Sequence, residues 1–297
     1  MRKCISGLLW AVTCGMMLLT GVSCEKMVIG SEADDGDDDA NVVLRVASFE
    51  QIPFTLAKTR RDARDICTRL NFMVYKDGKR IKQESQKVDD EGFGKAEFRL
   101  AEGRYFLVAL AHSGAGNPTS TRSDSIVFSN DTGHTDTFYW ADSIFVDAEH
   151  LHDDRIDKTL NLERIVSKIR FEYLDDIPVK AKRIRFKYDD GTAKFNALTG
   201  YGIRTSKQLQ WYDLPHTENT FEIYTIPHSN AQEYINVDVN SYDSSETEVS
   251  IRSVADIPIL RNRVTICRGY LFSPVYGAGF DIRISDVWDP DTLFWDF

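Results

Sequence analysis

The chain is poor in cysteine, in basic charge and in phosphate-type glycine loops. Only 5 cysteines occur in 297 residues, and Cys4, Cys14 and Cys24 crowd the start. Cys67 and Cys267 are left for the body of the chain, too few for a disulfide framework and without the Cys-x-x-Cys spacing of a zinc or redox site. Two separate buried thiols are the simpler reading, with a bridge between them left open. Lys and Arg number 36 against 46 Asp and Glu, a net charge of −10, which removes the basic stripe expected of a nucleic-acid binder. No Gly-x-Ser-x-Gly elbow surrounds a serine. The run His112-Ser113-Gly114-Ala115-Gly116-Asn117-Pro118 lacks a third glycine and a following helical period, so it reads as a turn and not a phosphate cradle. His150 and His152 have the alternate spacing of two ligands on one strand face, yet no separated third partner completes a metal set. Carboxylates are too abundant to single out an acid–base pair. The sequence thus offers no catalytic residue, no metal ligands and no cofactor, and we expect a non-enzyme.

What is present begins at the N-terminus. Arg2 and Lys3 precede an uncharged, mostly apolar run from Cys4 to Val22, closed by Ser23-Cys24. A positive end, an apolar stretch and small residues before the cut describe a secretory signal over residues 1–23. The run is marginal for the ~20 residues of a membrane span, and no basic stop-transfer cluster follows it. A cysteine directly after small residues resembles a bacterial lipobox, which would make Cys24 the lipidated first residue of the mature chain. Residues 24–40 then carry Glu25, Glu32, Asp34, Asp35, Asp37, Asp38 and Asp39. Clustered like charges repel, so this stretch reads as an acidic tether. It has no EF-hand spacing.

Beyond the tether about 260 residues remain, enough for two ordinary domains. Short runs rich in β-branched and aromatic residues dominate: Val42–Phe49, Leu70–Tyr75, Phe93–Leu100, Tyr105–Ala111, Lys168–Tyr173, Arg183–Tyr188, Phe221–Ile226, Tyr234–Val239, Arg263–Phe272 and Phe280–Ile284. Turn signals such as Asp77-Gly78 and Glu102-Gly103 punctuate them. Few windows show a 3.6-residue period, and the clearest, Leu160–Ile169, reads equally as strand. The expected class is all-β.

A weak internal repeat divides the chain. Leu44-Arg45-Val46 with the later Ile52-Pro53 parallels Ile169-Arg170-Phe171 with Ile177-Pro178. Likewise Arg69-Leu70-Asn71-Phe72 with Asp77-Gly78 parallels Arg183-Ile184-Arg185-Phe186 with Asp190-Gly191. Two related β-sandwiches follow from it, residues 41–157 and 158–297, with a polar, charged junction at His150–Lys158. The first half carries an extra basic loop around Lys58–Asp65, which reads either as a solvated connection or as a protease target. Near the C-terminus Phe280, Ile282 and Ile284 alternate with Asp281, Arg283 and Ser285, giving one apolar strand face. Val287-Trp288 and Leu293-Phe294-Trp295 follow. Such a terminus is costly in water at ~25 cal/mol per Å2. It is expected to bury in its own domain or to be donated to a neighbouring sheet.

Together the lipobox-like Cys24, the acidic tether, Gly103-Arg104-Tyr105-Phe106-Leu107-Val108-Ala109, Leu162–Ile169 and Leu260-Arg261-Asn262-Arg263-Val264-Thr265 resemble the fimbrillin superfamily of Bacteroidetes. The nearest resemblance is to its fimbrial anchor and minor-subunit lipoproteins. That resemblance implies two tandem transthyretin-like β-sandwich domains, a lipid on Cys24 in the outer membrane, and other fimbrial subunits as partners through strand exchange. It also implies, in shaft-type members, removal of the first strand by an arginine-specific protease, for which Arg60, Arg61 and Arg45 are the candidates. Phe280, Ile282 and Ile284 form the candidate exchange segment. Two other readings compete. One is a surface glycan-binding lipoprotein using Trp140, Trp211, Tyr212, Trp288 or Trp295 as stacking platforms. A weaker one is a secreted hydrolase with a metal at His150 and His152.

Overall fold

The structure is a computed structural model, and it describes residues 40–50, 63–128, 134–151, 154–215, 218–273 and 280–285. In the first part of the chain the strands are β1 (Val42–Phe49), β2 (Arg69–Lys76), β3 (Lys79–Lys87), β4 (Lys95–Phe98), β5 (Gly103–His112), β6 (Thr119–Arg122), β7 (Ser125–Val127), β8 (Phe138–Val146) and β9 (Ile156–Arg164). The second part holds β10 (Ser167–Tyr173), β11 (Arg183–Tyr188), β12 (Lys194–Asn196), β13 (Tyr201–Gly202), β14 (Gln208–Asp213) and β15 (Thr220–Thr225). It continues with β16 (Glu233–Tyr242), β17 (Glu248–Ile259), β18 (Val264–Gly269) and β19 (Asp281–Ser285). Among the described residues, helix is confined to one turn, α1 (Ala63–Ile66), and a 3-10 turn at Glu149–Leu151. The chain is all-β, as its patterning predicts.

Local chemistry sets these elements. Asp77 and Gly78 both take positive φ, 52° and 74°, which a two-residue hairpin needs, and Lys76 faces Lys79 across it. In β11, Ile184, Phe186 and Tyr188 point inward while Arg183, Arg185 and Lys187 stay partly exposed, the period of two expected of a half-buried strand.

The repeat seen in the sequence is realised as topology. In the first part β4-β1-β9 and β3-β2-β5-β8 are two layers of one continuous eleven-stranded sheet, β13-β12-β7-β6-β3-β2-β5-β8-β9-β1-β4, joined through the β8–β9 pairing; in the second, the four-stranded sheets β15-β10-β18-β19 and β14-β11-β16-β17 repeat that order. In both, the leading strand is antiparallel to one neighbour and parallel to the other: β1 with β4 and β9, β10 with β15 and β18. Residues 157 and 158, where the sequence divides the halves, lie inside β9, which runs beside β1. The turn Arg164–Ser167 then leads directly into β10.

Each layer pair encloses a core. The first joins Val42 and Leu44 of β1 to Leu70, Phe72, Leu107, Ala109 and Phe138. The second gathers Ile169, Phe171, Ile184, Phe186, Phe221 and Val237. A third lies on the opposite face of β2 and β5, where Met73, Tyr75, Val108 and Leu110 meet Ile126, Ile165, Val166 and Phe195. Here β12, from the second part, pairs with β7, from the first, with Phe195 opposite Ile126. β2 and β5 are therefore buried on both faces, which is why Phe72-Met73-Val74-Tyr75 and Leu107–Ala111 are unbroken apolar runs.

Charges reinforce this seam. Arg164 donates from Nε to Asp136 Oδ1 at 2.7 Å and from Nη2 to Oδ2 at 2.9 Å, and from Nη1 to Asn262 Oδ1 at 2.9 Å. Just beyond, Lys168 Nζ and Arg170 Nη2 both reach Glu222 Oε1, at 3.1 and 2.8 Å. The two cations hold the Glu222 carboxyl below its ordinary range despite burial, which pulls the other way; burial in turn pushes Lys168 down.

Candidate assembly edges

The strand that carries the Arg45 candidate is β1. It is an inner strand, with Arg45 opposite Lys95 of β4 and Thr159 of β9. Val42, Val43 and Leu44 are wholly buried, each such side chain contributing ~1.5–3 kcal/mol. Arg45 itself points to solvent and pairs with Asp157. Its backbone is hydrogen-bonded into the sheet, so a protease reaches it only after the strand opens. A parallel partner cannot come from a hairpin; along the chain, residues 51–62 link β1 to α1 and β2. Arg60 and Arg61 belong to that link and lie outside the described residues, as does Cys24. Just after the link, Arg64 donates from Nε to Val88 O (3.1 Å) and from Nη2 to Asp90 O (3.0 Å) and sits 5.5 Å from the Phe93 ring. The chain is thus pinned where the link ends.

The candidate exchange segment lies at a sheet edge. β19 pairs antiparallel with β18, Ile282 opposite Cys267 and Ile284 opposite Thr265. Phe280 and Ile282 pack on the second core, with the Phe280 ring 6.4 Å from Phe171. A Cβ on Gly269 would come within 2.8 Å of that ring, so this glycine makes the room Phe280 occupies. Ile284 is 41% exposed. In the first part the strand beside β9 is β8; in the second, the equivalent place beside β18 is taken by β19. Residues 286–297, including Trp288 and Trp295, lie outside the described residues.

The remaining sequence candidates separate. Cys67 and Cys267 are both free and buried, one in each main core. Burial pushes each thiol up to about 12, so neither is a nucleophile at neutral pH. His150 Nδ1 is 2.6 Å from Asp147 Oδ1, His152 lies outside the described residues, and no metal-holding cluster forms among the described ones. Trp140 packs on the first core. Tyr212 is in the second, its hydroxyl donating to Glu222 O. Trp211 has the Arg183 guanidinium 4.3 Å from its ring centre. His134, Asp136 and Glu222, which bind distant segments together, carry no local sequence signal; their partners are far along the chain.

A family model for a family of unknown function, DUF6562, matches residues 37–295. The chain belongs to the DUF6562 family. No curated protein matches it. Among solved structures, it is similar to a Bacteroides thetaiotaomicron protein of the DUF1812 group, proposed to bind polysaccharide. The TM-score is 0.50 and the identity 10%, over 84% of this chain and 96% of that one. Two further similar structures come from Porphyromonas gingivalis. They are the fimbrial anchor protein Mfa2 (TM-score 0.46, 13% identity, 82% and 96% covered) and the tip fimbrial protein Mfa3 (0.41, 10%, 82% and 98%). The first of these likenesses establishes a shared fold.

Proposed function

We propose that this chain is a non-enzymatic, lipid-anchored subunit of a surface fimbria, an anchor or minor subunit that joins other subunits by exchanging β-strands. The observation that carries the reading is the place of β1. It is an inner strand, parallel to β9 and antiparallel to β4. Losing it would open a groove along Val42, Val43 and Leu44 and leave unpaired backbone on β4 and β9. Such an edge pairs readily with an extended segment from another chain. β19 supplies the complementary feature, a late strand at an open edge with an apolar face. The lipobox-like Cys24 and the acidic tether would hold this unit at the outer membrane while leaving its edges free to reach a partner.

The test is purification of the intact chain from outer membranes in mild detergent. The wild type is expected in the membrane fraction with filament-forming subunits bound, and Cys24→Ala is expected to leave that fraction. A wild-type chain recovered alone, with the amides of β1 and β19 fully protected from exchange within one monomer, would contradict the reading.

A further inference from the structure

A small pocket opens between the His112–Pro118 turn and the segment that enters β8. His112, Gly116, Asn117, Phe128, His134 and Thr137 contribute to its wall, and its volume is about 70 Å3. That is below the ~300–1,000 Å3 of a pocket enclosing a whole small molecule, and sufficient for one substituent.

Among the described residues the wall carries no charged side chain. His112 and His134 are 2% and 5% exposed, and both are held down to about 4, by burial first and, for His112, by the nearby Arg69. At neutral pH both are neutral imidazoles. Their tautomers follow from their partners. His134 Nε2 is 2.5 Å from Thr192 O, and a carbonyl only accepts, so Nε2 carries the proton and Nδ1 is left as an acceptor. His112 Nδ1 accepts from Gly114 N at 3.1 Å, so its proton is also on Nε2. That nitrogen lies 3.1 Å from Asn71 Nδ2, and with the Asn71 amide turned over its oxygen accepts the proton while its nitrogen faces Ser85. Phe128 stands edge-on to both rings, 6.2 and 5.4 Å away, and supplies an apolar wall.

The rim is fixed in advance. Arg69 donates from Nε to Gly114 O at 2.9 Å and from Nη2 to Ala115 O at 2.6 Å. Ser113 accepts from Thr68 N through its hydroxyl and donates its own N–H to Thr135 Oγ1, at 3.2 and 3.0 Å. Ordering a loop on binding costs affinity, and this loop is already ordered.

We propose that this pocket is a binding site for an uncharged, hydrogen-bond-donating substituent of a sugar, a hydroxymethyl or acetamido arm, with His134 Nδ1 as its acceptor and Phe128 as its apolar wall. The sugar ring itself would lie outside, against the exposed Ala115, Gly116 and Asn117. An anionic sugar is disfavoured, since among the described residues no cationic side chain lines the pocket. The site is separate from the strand edges, and its failure would leave the assembly reading standing.

The test is titration of the full chain with N-acetylglucosamine, methyl glucoside and galacturonic acid, read from the imidazole 15N signals. Free protein should show Nε2–H for both histidines. Either neutral sugar should then move the His134 Nδ1 resonance saturably, with a Kd on the order of 1–10 mM. A Cβ at Gly116 would meet no atom within 4 Å, and the residue has no positive φ, so Gly116→Phe sets a bulky ring on the pocket rim without straining the backbone. It should weaken binding at least about tenfold, a loss of ~1.4 kcal/mol. Ala115→Phe, on the exposed rim, is a second blocking variant should the first misfold. No movement of His134 with either neutral sugar overturns the proposal. So does equal affinity in a folded blocking variant, or galacturonic acid binding as well as the neutral pair.

Discussion

Mild acid should destabilise this protein through His112 and His134. Their ordinary value is 6.5, and in the fold both are held at about 4. A folded-state value below the unfolded one means the unfolded chain binds more protons between these limits. Stability is therefore full above pH 6.5 and falls as pH drops toward 4. The complete loss is about 3 kcal/mol per histidine, from 1.36 kcal/mol per pK unit. At pH 5 each would have lost about 2 kcal/mol, together about 4, a large part of a typical 5–15 kcal/mol. Burial raises the Glu84 carboxyl, so that group acts in the opposite sense and favours the fold as pH falls through its titration. The Glu222 and Glu233 carboxyls are depressed by their cationic and hydrogen-bonding partners, and their contribution is lost only below their ordinary value of 4.5. Urea unfolding at pH 7.5, 6.5, 5.5 and 5.0 measures the slope. His134→Gln keeps a donor for Thr192 O without titrating in this window, and should remove about half of the slope. A stability that is flat from pH 7 to 5, or a slope unchanged in His134→Gln, would refute the reasoning.

Other substitutions separate burial from surface charge. Leu44→Ala should cost about 2–5 kcal/mol in urea unfolding, because the side chain is wholly buried. Arg45→Ala, one residue on and 44% exposed at the side chain in its pair with Asp157, should cost no more than about 1 kcal/mol. Glu222→Gln leaves Lys168 and Arg170 buried with a neutral partner and should cost about 3–5 kcal/mol, read as a lowered midpoint. Cys67 and Cys267 should resist a thiol reagent in the native protein at pH 8 and react together on unfolding; fast labelling of either in the folded state would count against their burial.

Much of the fold was legible because a sheet's chemistry is local. Val42–Phe49 and Arg183–Tyr188 match β1 and β11 at both ends, and the repeat around Leu44 and Ile169 marks two strands that hold the same place in the topology. β3 escaped notice because Lys79-Arg80-Ile81-Lys82-Gln83-Glu84 is mostly polar, its order coming from pairing with β2. The seam was hidden for another reason. β7 and β12 have three residues each, too short for a period, and they meet only across about 70 residues of chain, where loop closure and not local propensity decides. The unbroken run Leu107–Ala111 was the available clue, since a strand apolar on both sides needs two cores. The pocket beside His112 was readable only as a turn, because His134 and Phe128 reach it from another part of the chain.

The mature N-terminus of the protein isolated from outer membranes tests the central claim most directly. Terminal-peptide mass spectrometry should find an acylated Cys24, or in a processed shaft form a start just after Arg45, Arg60 or Arg61. An unacylated chain cut elsewhere and free of the membrane would contradict the account.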